Sequence, residues 1–435
     1  MSWLVVAGFL IFFLGMMISI GLHELGHLVP AKLFGVKVTQ YMVGFGPTLW
    51  SRRRGETEYG VKWIPLGGYI RMIGPLPPRS GDAPNRLRTM STGPWQGLIE
   101  SARQASLEEV RPGDEDRVLY RKPWWQRVII FVGGPAMNFV LAFLLFAVVL
   151  MGFGVEVAKP VVASVSKCVV TVAEQAKGQQ CDAKHPLTPA ATAGFQAKDK
   201  IVSFDGRPVG SWEDATRYIR SHGAGPVTIG IERDGRPMTL NANLIAQDRQ
   251  SLDDPTKIDK GVGFLGVSPV MVLERQGPGY VAGVMWDVTQ RSAAAIARFP
   301  QKLVGVWQAA FGGKERDLNS PISVVGAGRI GGEIAASSAP MATKVAGLIQ
   351  LLAGVNLAIG LFNLIPLLPL DGGQIAGALW EGLKRGYARV RRRPMPGHVD
   401  IAKALPLTYA MAVVLLVMSS LLIYADIVNP IRLSG

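Results

Sequence analysis

Cysteine is scarce in these 435 residues: Cys168 and Cys181 are the only two. No His–Asn pattern accompanies either thiol in the manner of a cysteine protease. Charge is scarce as well. Asp, Glu, Lys and Arg make up 18% of the chain and hydrophobic residues 49%, whereas soluble domains carry about 25% charged residues. That deficit points to a membrane protein. The net charge of +14 would suit a nucleic-acid partner, but no basic repeat with interleaved aromatics is present. The cations gather beside apolar segments instead, where retention of positive loops in the cytoplasm accounts for them. No Lys or Arg precedes the first apolar run, and a secretory signal peptide needs such a positive start. A retained helix is therefore expected. No internal repeat is evident, and the length accommodates two or three domains.

What is present in quantity is long apolar sequence. Four stretches, about 3–28, 128–155, 345–368 and 405–427, reach the roughly 20 residues that span a bilayer. Lys32, Lys37, Arg52, Arg53, Arg54, Arg121, Lys122 and Arg127 lie between or beside the first and second. Lys384, Arg385, Arg389, Arg391, Arg392 and Arg393 lie between the third and fourth. Both connections are then cytoplasmic, and the long segment between helices two and three is outside, with both termini. Cys168 and Cys181 fall in that outer segment, where a disulfide persists; two unpaired thiols are the alternative.

The end of the first apolar run reads His23-Glu24-Leu25-Gly26-His27. On a helix, positions i and i+4 share a face, so both imidazoles reach one zinc ion. Glu24 beside them can take a proton from a water whose pKa the metal lowers to about 7. Ionisable residues are costly at membrane depth and mark function there. Gly26, a poor helix former, suggests the close approach of another element. Two histidines leave a catalytic zinc one protein ligand short. The third apolar run ends in Asn363-Leu364-Ile365-Pro366-Leu367-Leu368-Pro369-Leu370-Asp371-Gly372-Gly373. Asp371 is the first carboxylate after that run, at a depth matching the histidines. Pro366 and Pro369 break the helix and free backbone groups that only a protein-lined cavity tolerates.

With these motifs the chain resembles the site-2 protease family of intramembrane zinc metalloproteases, in its bacterial type with an extracytoplasmic PDZ domain. The matching residues are His23, Glu24, His27, Asn363, Pro366, Pro369, Asp371 and Gly372. The resemblance implies a polytopic α-helical membrane protein of about four transmembrane helices, with a membrane-reentrant β-loop and an inserted α+β PDZ domain. It implies Zn2+ on His23, His27 and Asp371, Glu24 as the catalytic residue, and Asn363 as a substrate-binding partner near the scissile peptide. It implies a home in the bacterial inner membrane and substrates that are single-pass membrane proteins. A pre-trimmed anti-sigma factor or a remnant signal peptide would be cut after an upstream protease. Membrane lipid is a further partner, and nucleic acid is not.

The domain boundaries expected are a first transmembrane segment to residue 35, a cytoplasmic segment 36–124 and a second transmembrane helix 125–156. A PDZ domain at 157–247 and an extracytoplasmic segment 248–344 follow. A third transmembrane helix 345–373, a basic cytoplasmic loop 374–404 and a fourth helix 405–428 complete the chain. Residues 59–73 alternate enough to form strands around Pro65-Leu66-Gly67-Gly68; the resemblance makes them a reentrant loop, and a surface hairpin is the alternative. Residues 79–121 read as a linker with a short surface helix. Within the PDZ region, a strand is expected at 161–165, a strand and turn at 200–206, helices at 190–194 and 212–222, and a hairpin turning at Asp234-Gly235. An insertion carrying both cysteines interrupts it. Residues 281–311 suit an amphipathic helix lying on the membrane or on the PDZ domain. Gly133-Gly134-Pro135-Ala136-Met137-Asn138 and Asn319-Ser320-Pro321-Ile322 also match the family. Asn138 has two open roles, interhelical hydrogen bonding or substrate contact. A catalytically inactive PDZ-bearing scaffold is the competing class, yet His23, Glu24, His27 and Asp371 are all intact. A zinc transporter would give Glu24 no role.

Overall fold

The computed structural model describes residues 3–77, 94–170, 174, 181–182, 184–252, 258–314, 316–317 and 320–431. Along the chain come α1 (Trp3–Leu33), strands β1 (Val38–Arg54) and β2 (Thr57–Met72), and α2 (Pro94–Glu108). Helix α3 (Trp124–Ala147) runs on as a π-helical stretch, Val148–Phe153. Next are β3 (Val155–Val165), α4 (Pro189–Thr192), β4 (Lys200–Phe204), β5 (Arg207–Pro208) and α5 (Trp212–His222). Strands β6 (Gly225–Arg233), β7 (Arg236–Gln250), β8 (Ile258–Phe264) and β9 (Val267–Glu274) follow. The C-terminal part is helical: α6 (Pro278–Ala297), α7 (Phe299–Phe311), α8 (Val324–Ala336), α9 (Met341–Asn363), α10 (Asp371–Val390) and α11 (Leu405–Val428).

Two compact units divide these elements, residues 1–153 with 277–435 and residues 154–276. In the first, α1, α3 with its π-helical end, α9 and α11 are long and apolar enough to cross a membrane. Helix α1 has 31 residues, about 46 Å at 1.5 Å each, so it outruns a hydrocarbon core of about 30 Å. Lipid offers no hydrophobic drive for helix pairing, so close backbone contact takes its place. A Cβ on Gly8 would come within 2.5 Å of Ala335 Cβ, and one on Gly328 within 2.6 Å of the Phe9 ring. These glycines seat α8 against α1. Ser323 caps α8, accepting the Gly326 N–H at 3.2 Å. The buried Asp426 accepts the Ser323 N–H at 2.6 Å and pairs with Arg316 at 2.5 Å. Sequence reading assigned no helix at 324–336, because its four glycines depress helix propensity. Asn319 lies outside the described residues, as do 79–93 of the expected linker; α2 occupies its later part.

Strands β1 and β2 form a ribbon of their own. Each bends sharply at glycines of positive φ: Gly44 (+96°) and Gly46 (+82°) in β1, Gly67 (+111°) in β2. As a result Tyr41 faces both Tyr59 and Ile70, and Val43 faces both Val61 and Gly68. Residues 40–43 thus lie between 58–61 and 68–71, while the tip pairs Ser51 with Gly60 and Arg54 with Thr57. The segment 68–71 forms an outer edge of the ribbon.

The second unit is a sheet of order β8-β7-β6-β4-β3-β9, with β5 beside β4. Ile201, Phe204, Ile229, Ile231 and Val162 are fully buried in its core. Helix α5 spans the residues expected of it, with Ser211 as N-cap accepting the Asp214 N–H at 3.1 Å. The β6–β7 hairpin turns at Asp234 (φ +49°) and Gly235 (φ +76°), the pair of positive φ values that two-residue hairpins favour. Strands β8 and β9 extend the sheet past residue 247. Cys168 and Cys181 are bridged, with Cα atoms 5.8 Å apart.

Two differences from the sequence reading concern helices of the first unit. The amphipathic segment 281–311 is two helices, α6 and α7, parted at Arg298. The loop expected at 374–404 is helical through Val390. Its many cations had suggested a loop, but Ile375, Ala378, Leu379 and Gly382 repeat at helical spacing. Ala378 and Glu381 are fully buried.

Candidate metal centre

The deep end of α1 carries His23 and His27 on one face, both buried. The chain's third candidate donor comes from far along the sequence. Helix α9 stops at Asn363, and Asp371 is the first residue of α10. Between them Pro366 and Pro369 offer no N–H, and short turns satisfy their neighbours, with Leu370 N–H donating to Leu367 O at 2.9 Å. A Cβ on Gly372 would sit 2.1 Å from Ile365 O, so only glycine lets α10 start this close to the turn. That tight start delivers Asp371 to the histidines.

The three donor atoms form a nearly equilateral triangle. His23 Nε2 and His27 Nε2 are 3.3 Å apart, and each lies 3.4 Å from Asp371 Oδ2. Tetrahedral zinc ligands at about 2.0–2.1 Å stand about 3.3–3.4 Å from one another. The residues therefore fit zinc, with three protein donors and a fourth position left for water or substrate. Among the described residues this is the one group of three such side chains able to hold a metal ion.

Second contacts aim the rings. His27 Nδ1 donates to Ile130 O of α3 at 2.7 Å, which leaves Nε2 as a lone-pair donor. The Asn138 amide, buried on the same helix, lies 3.1 Å from His23 Nδ1. The nearer amide atom is Nδ2; an amide flip, which exchanges the two ends, would put the oxygen there to accept the Nδ1 proton and free Nε2 in the same way. Of the two roles open in the sequence, the geometry bears out interhelical hydrogen bonding, and the residue Asn138 bonds is a candidate ligand. Gly26 is explained as well, since a Cβ there would meet Gly133 O at 2.2 Å. Gly134 matters more. A Cβ on it would lie 2.2 Å from His27 Nε2 and 2.7 Å from His23 Cε1. No periodicity in the sequence reveals that contact; only the pairing of α1 with α3 creates it.

Glu24 points to the ribbon. It is buried, its Cγ would lie 2.9 Å from a Cβ on Gly68, and the Ile70 N–H hydrogen-bonds its carboxylate. Tyr41 Oη donates to Gly21 O at 2.6 Å, fastening the ribbon to α1 one turn earlier. The outer edge 68–71 thus runs beside Glu24. Asn363 stands apart: half-buried at the end of α9, its side chain takes no hydrogen bond among the described residues.

Helices that cross a membrane and a His–His–Asp donor set beside a glutamate define an integral-membrane metallopeptidase. Sequence comparison agrees. Residues 11–405 match Peptidase family M50. The zinc metalloprotease Rip1 of Mycobacterium tuberculosis is 34% identical over 98% of this chain and 99% of that protein. Its counterpart in Mycolicibacterium smegmatis is 33% identical over 98% of both. The metalloprotease MmpA of Caulobacter vibrioides is 31% identical over 90% of this chain and 89% of that protein. The chain belongs to peptidase family M50, the site-2 proteases, and is a zinc-dependent metalloendopeptidase.

The contact behind His23 has a measurable consequence. Asn138→Ala is expected to lower zinc affinity about 10–100-fold, the usual effect of removing such a partner, while the chain stays folded. Competition against a chromogenic chelator reads this directly. Unchanged affinity would mean that His23 is oriented by packing alone.

Proposed function

We propose that this protein cuts substrates within the membrane, with His23, His27 and Asp371 holding zinc, Glu24 as general base and Asn363 as a substrate contact. The donor triangle of 3.3–3.4 Å beside Glu24, with both histidines on a membrane-crossing helix, carries the reading. Zinc on such donors supplies Lewis acidity, polarising a peptide carbonyl and acidifying a water near neutral pH. Glu24 accepts the proton of the attacking water and returns it to the departing amine. Asn363 offers an amide to the scissile peptide, where it stabilises the developing oxyanion.

A transmembrane helix conceals its peptide bonds, so the substrate has to unwind before it is cut. The ribbon β1–β2 acts as a membrane-reentrant loop whose edge 68–71 pairs with the unwound strand and holds it extended. The nearness of Gly68 and Ile70 to Glu24 supports this. The unit 154–276 serves as a PDZ domain outside the bacterial inner membrane, an orientation supported by the cations between α1 and α3 and between α9 and α11. It screens single-pass proteins, such as an anti-sigma factor or a signal-peptide remnant, for prior trimming by an upstream protease. This is regulated intramembrane proteolysis.

The test is reconstitution of the zinc-loaded chain with a tagged single-pass protein, supplied with either its full outer domain or only a stub. Cleavage within the membrane segment of the stub form, at least about 10-fold faster than of the full form, is expected. Equal rates for both would remove the screening role, and cleavage of neither would remove the proteolytic one.

A further inference from the structure

At the other end of α3 from its π-helical stretch lies an open cleft of about 690 Å³, formed with α10 and the chain that follows it. Trp124, Trp125, Arg385, Arg389, Met395 and Pro396 contribute to its walls. Trp124 lies against Gly382, where a Cβ would come within 2.6 Å of the indole. Trp125 is exposed and meets Phe34 edge-on at 5.6 Å between ring centres. Tryptophans at the end of a membrane-crossing helix mark the headgroup level of the bilayer. The cleft is therefore interfacial.

Its charge is one-sided. Beneath the floor, the fully buried Glu381 pairs with Arg127 and Arg385 and accepts the Val399 N–H at 3.0 Å. Burial alone would raise its carboxyl, and the bonds from His398, Val399 and Arg127 hold it at about 2 instead, so it is ionised at neutral pH. One carboxylate against three guanidiniums (Arg127, Arg385 and Arg389) leaves two positive charges. Arg389 has no carboxylate partner among the described residues. Arg385 and Arg389 are also four apart on one helix face, where like charges repel. An anion between them relieves that repulsion.

We propose that this cleft binds the phosphodiester headgroup of an anionic phospholipid, with Arg385 and Arg389 on the phosphate and Trp125 and Met395 against the glycerol and first acyl carbons. Guanidinium forks match phosphate oxygens. Basic pockets beside membrane helices recognise such headgroups. A soluble phosphate would satisfy the arginines equally, but it gives no part to the exposed Trp125 and Met395 beside them. The lipid uses both halves of the cleft.

The full-length, zinc-loaded chain in mild detergent is exposed to phosphatidylglycerol, phosphatidylcholine or inorganic phosphate, and bound adducts are resolved by native mass spectrometry. Phosphatidylglycerol is expected to bind in preference to phosphatidylcholine and to resist displacement by inorganic phosphate. Arg389→Gln weakens it about 5-fold, in keeping with one interfacial cation. Arg391→Gln, which removes a charge stacked on Tyr387 outside the cleft, leaves it unchanged. Equal binding of the two lipids, equal loss in both variants, or displacement by inorganic phosphate would each overturn the proposal.

Discussion

Replacement of Glu24 by Gln is expected to slow cleavage by about 100- to 10,000-fold, the range of general acid–base catalysis, without loss of zinc. Glutamine keeps the side chain's length and still fills the space against Gly68. It keeps an acceptor for the Ile70 N–H as well. What it cannot do is take a proton. The donor triangle involves no atom of Glu24, so metal content measured on the purified variant should match that of the native chain. Zinc lost together with activity would move Glu24 from the chemistry into the metal site. Cleavage at the native rate would remove it from both.

A second large effect is expected from the smallest substitution possible, Gly134→Ala. In an ordinary helix interior alanine is the better residue, by about 0.5–1 kcal/mol. Here the added methyl would sit 2.2 Å from His27 Nε2 and 2.5 Å from its Cε1. That is where the lone pair and its metal need room. Neither ring can retreat freely, because His27 is tied to Ile130 O and His23 to Asn138. The variant should therefore insert and fold, bind little zinc and cleave nothing. Gly152→Ala is the matched control, since nothing lies within 4 Å of its added Cβ. Full zinc content in Gly134→Ala would show that the crossing of α1 and α3 yields by an ångström or more.

The site was legible in the sequence wherever its logic is local. His23 and His27 are one helical turn apart, so a period of 3.6 places them together. The four apolar runs carry their own length signal, and the expected helix at 212–222 is α5. Long-range partners leave no such trace. That Ile130 and Asn138 lie behind the two rings, and that Gly134 faces them, follows from how α1 meets α3. The folding of each ribbon strand on itself depends on the positive φ of Gly44, Gly46 and Gly67, and glycine spacing alone does not say which way a chain bends. Helix α10 was hidden by its cations, which look like a loop when counted and like a helix face when placed. Asn363 was singled out by its motif, yet the fold gives it no partner among the described residues, and its role rests on a substrate.

The separation between the candidate donors along the chain bears on how the enzyme is made. His27 and Asp371 are 344 positions apart (371 − 27). At the usual rate of about 5–20 residues per second, the ribosome needs roughly 20–70 s to cover that distance. For all of that time the growing chain holds two histidines and no third donor, with α1 already in the bilayer. On this ligand assignment a half-made chain is only a weak two-point site. Capacity for hydrolysis arrives when α10 docks, late in synthesis and after most of the fold is in place. If His23, His27 and Asp371 are the ligands, the order in which they are translated would withhold a complete metal site until late in synthesis.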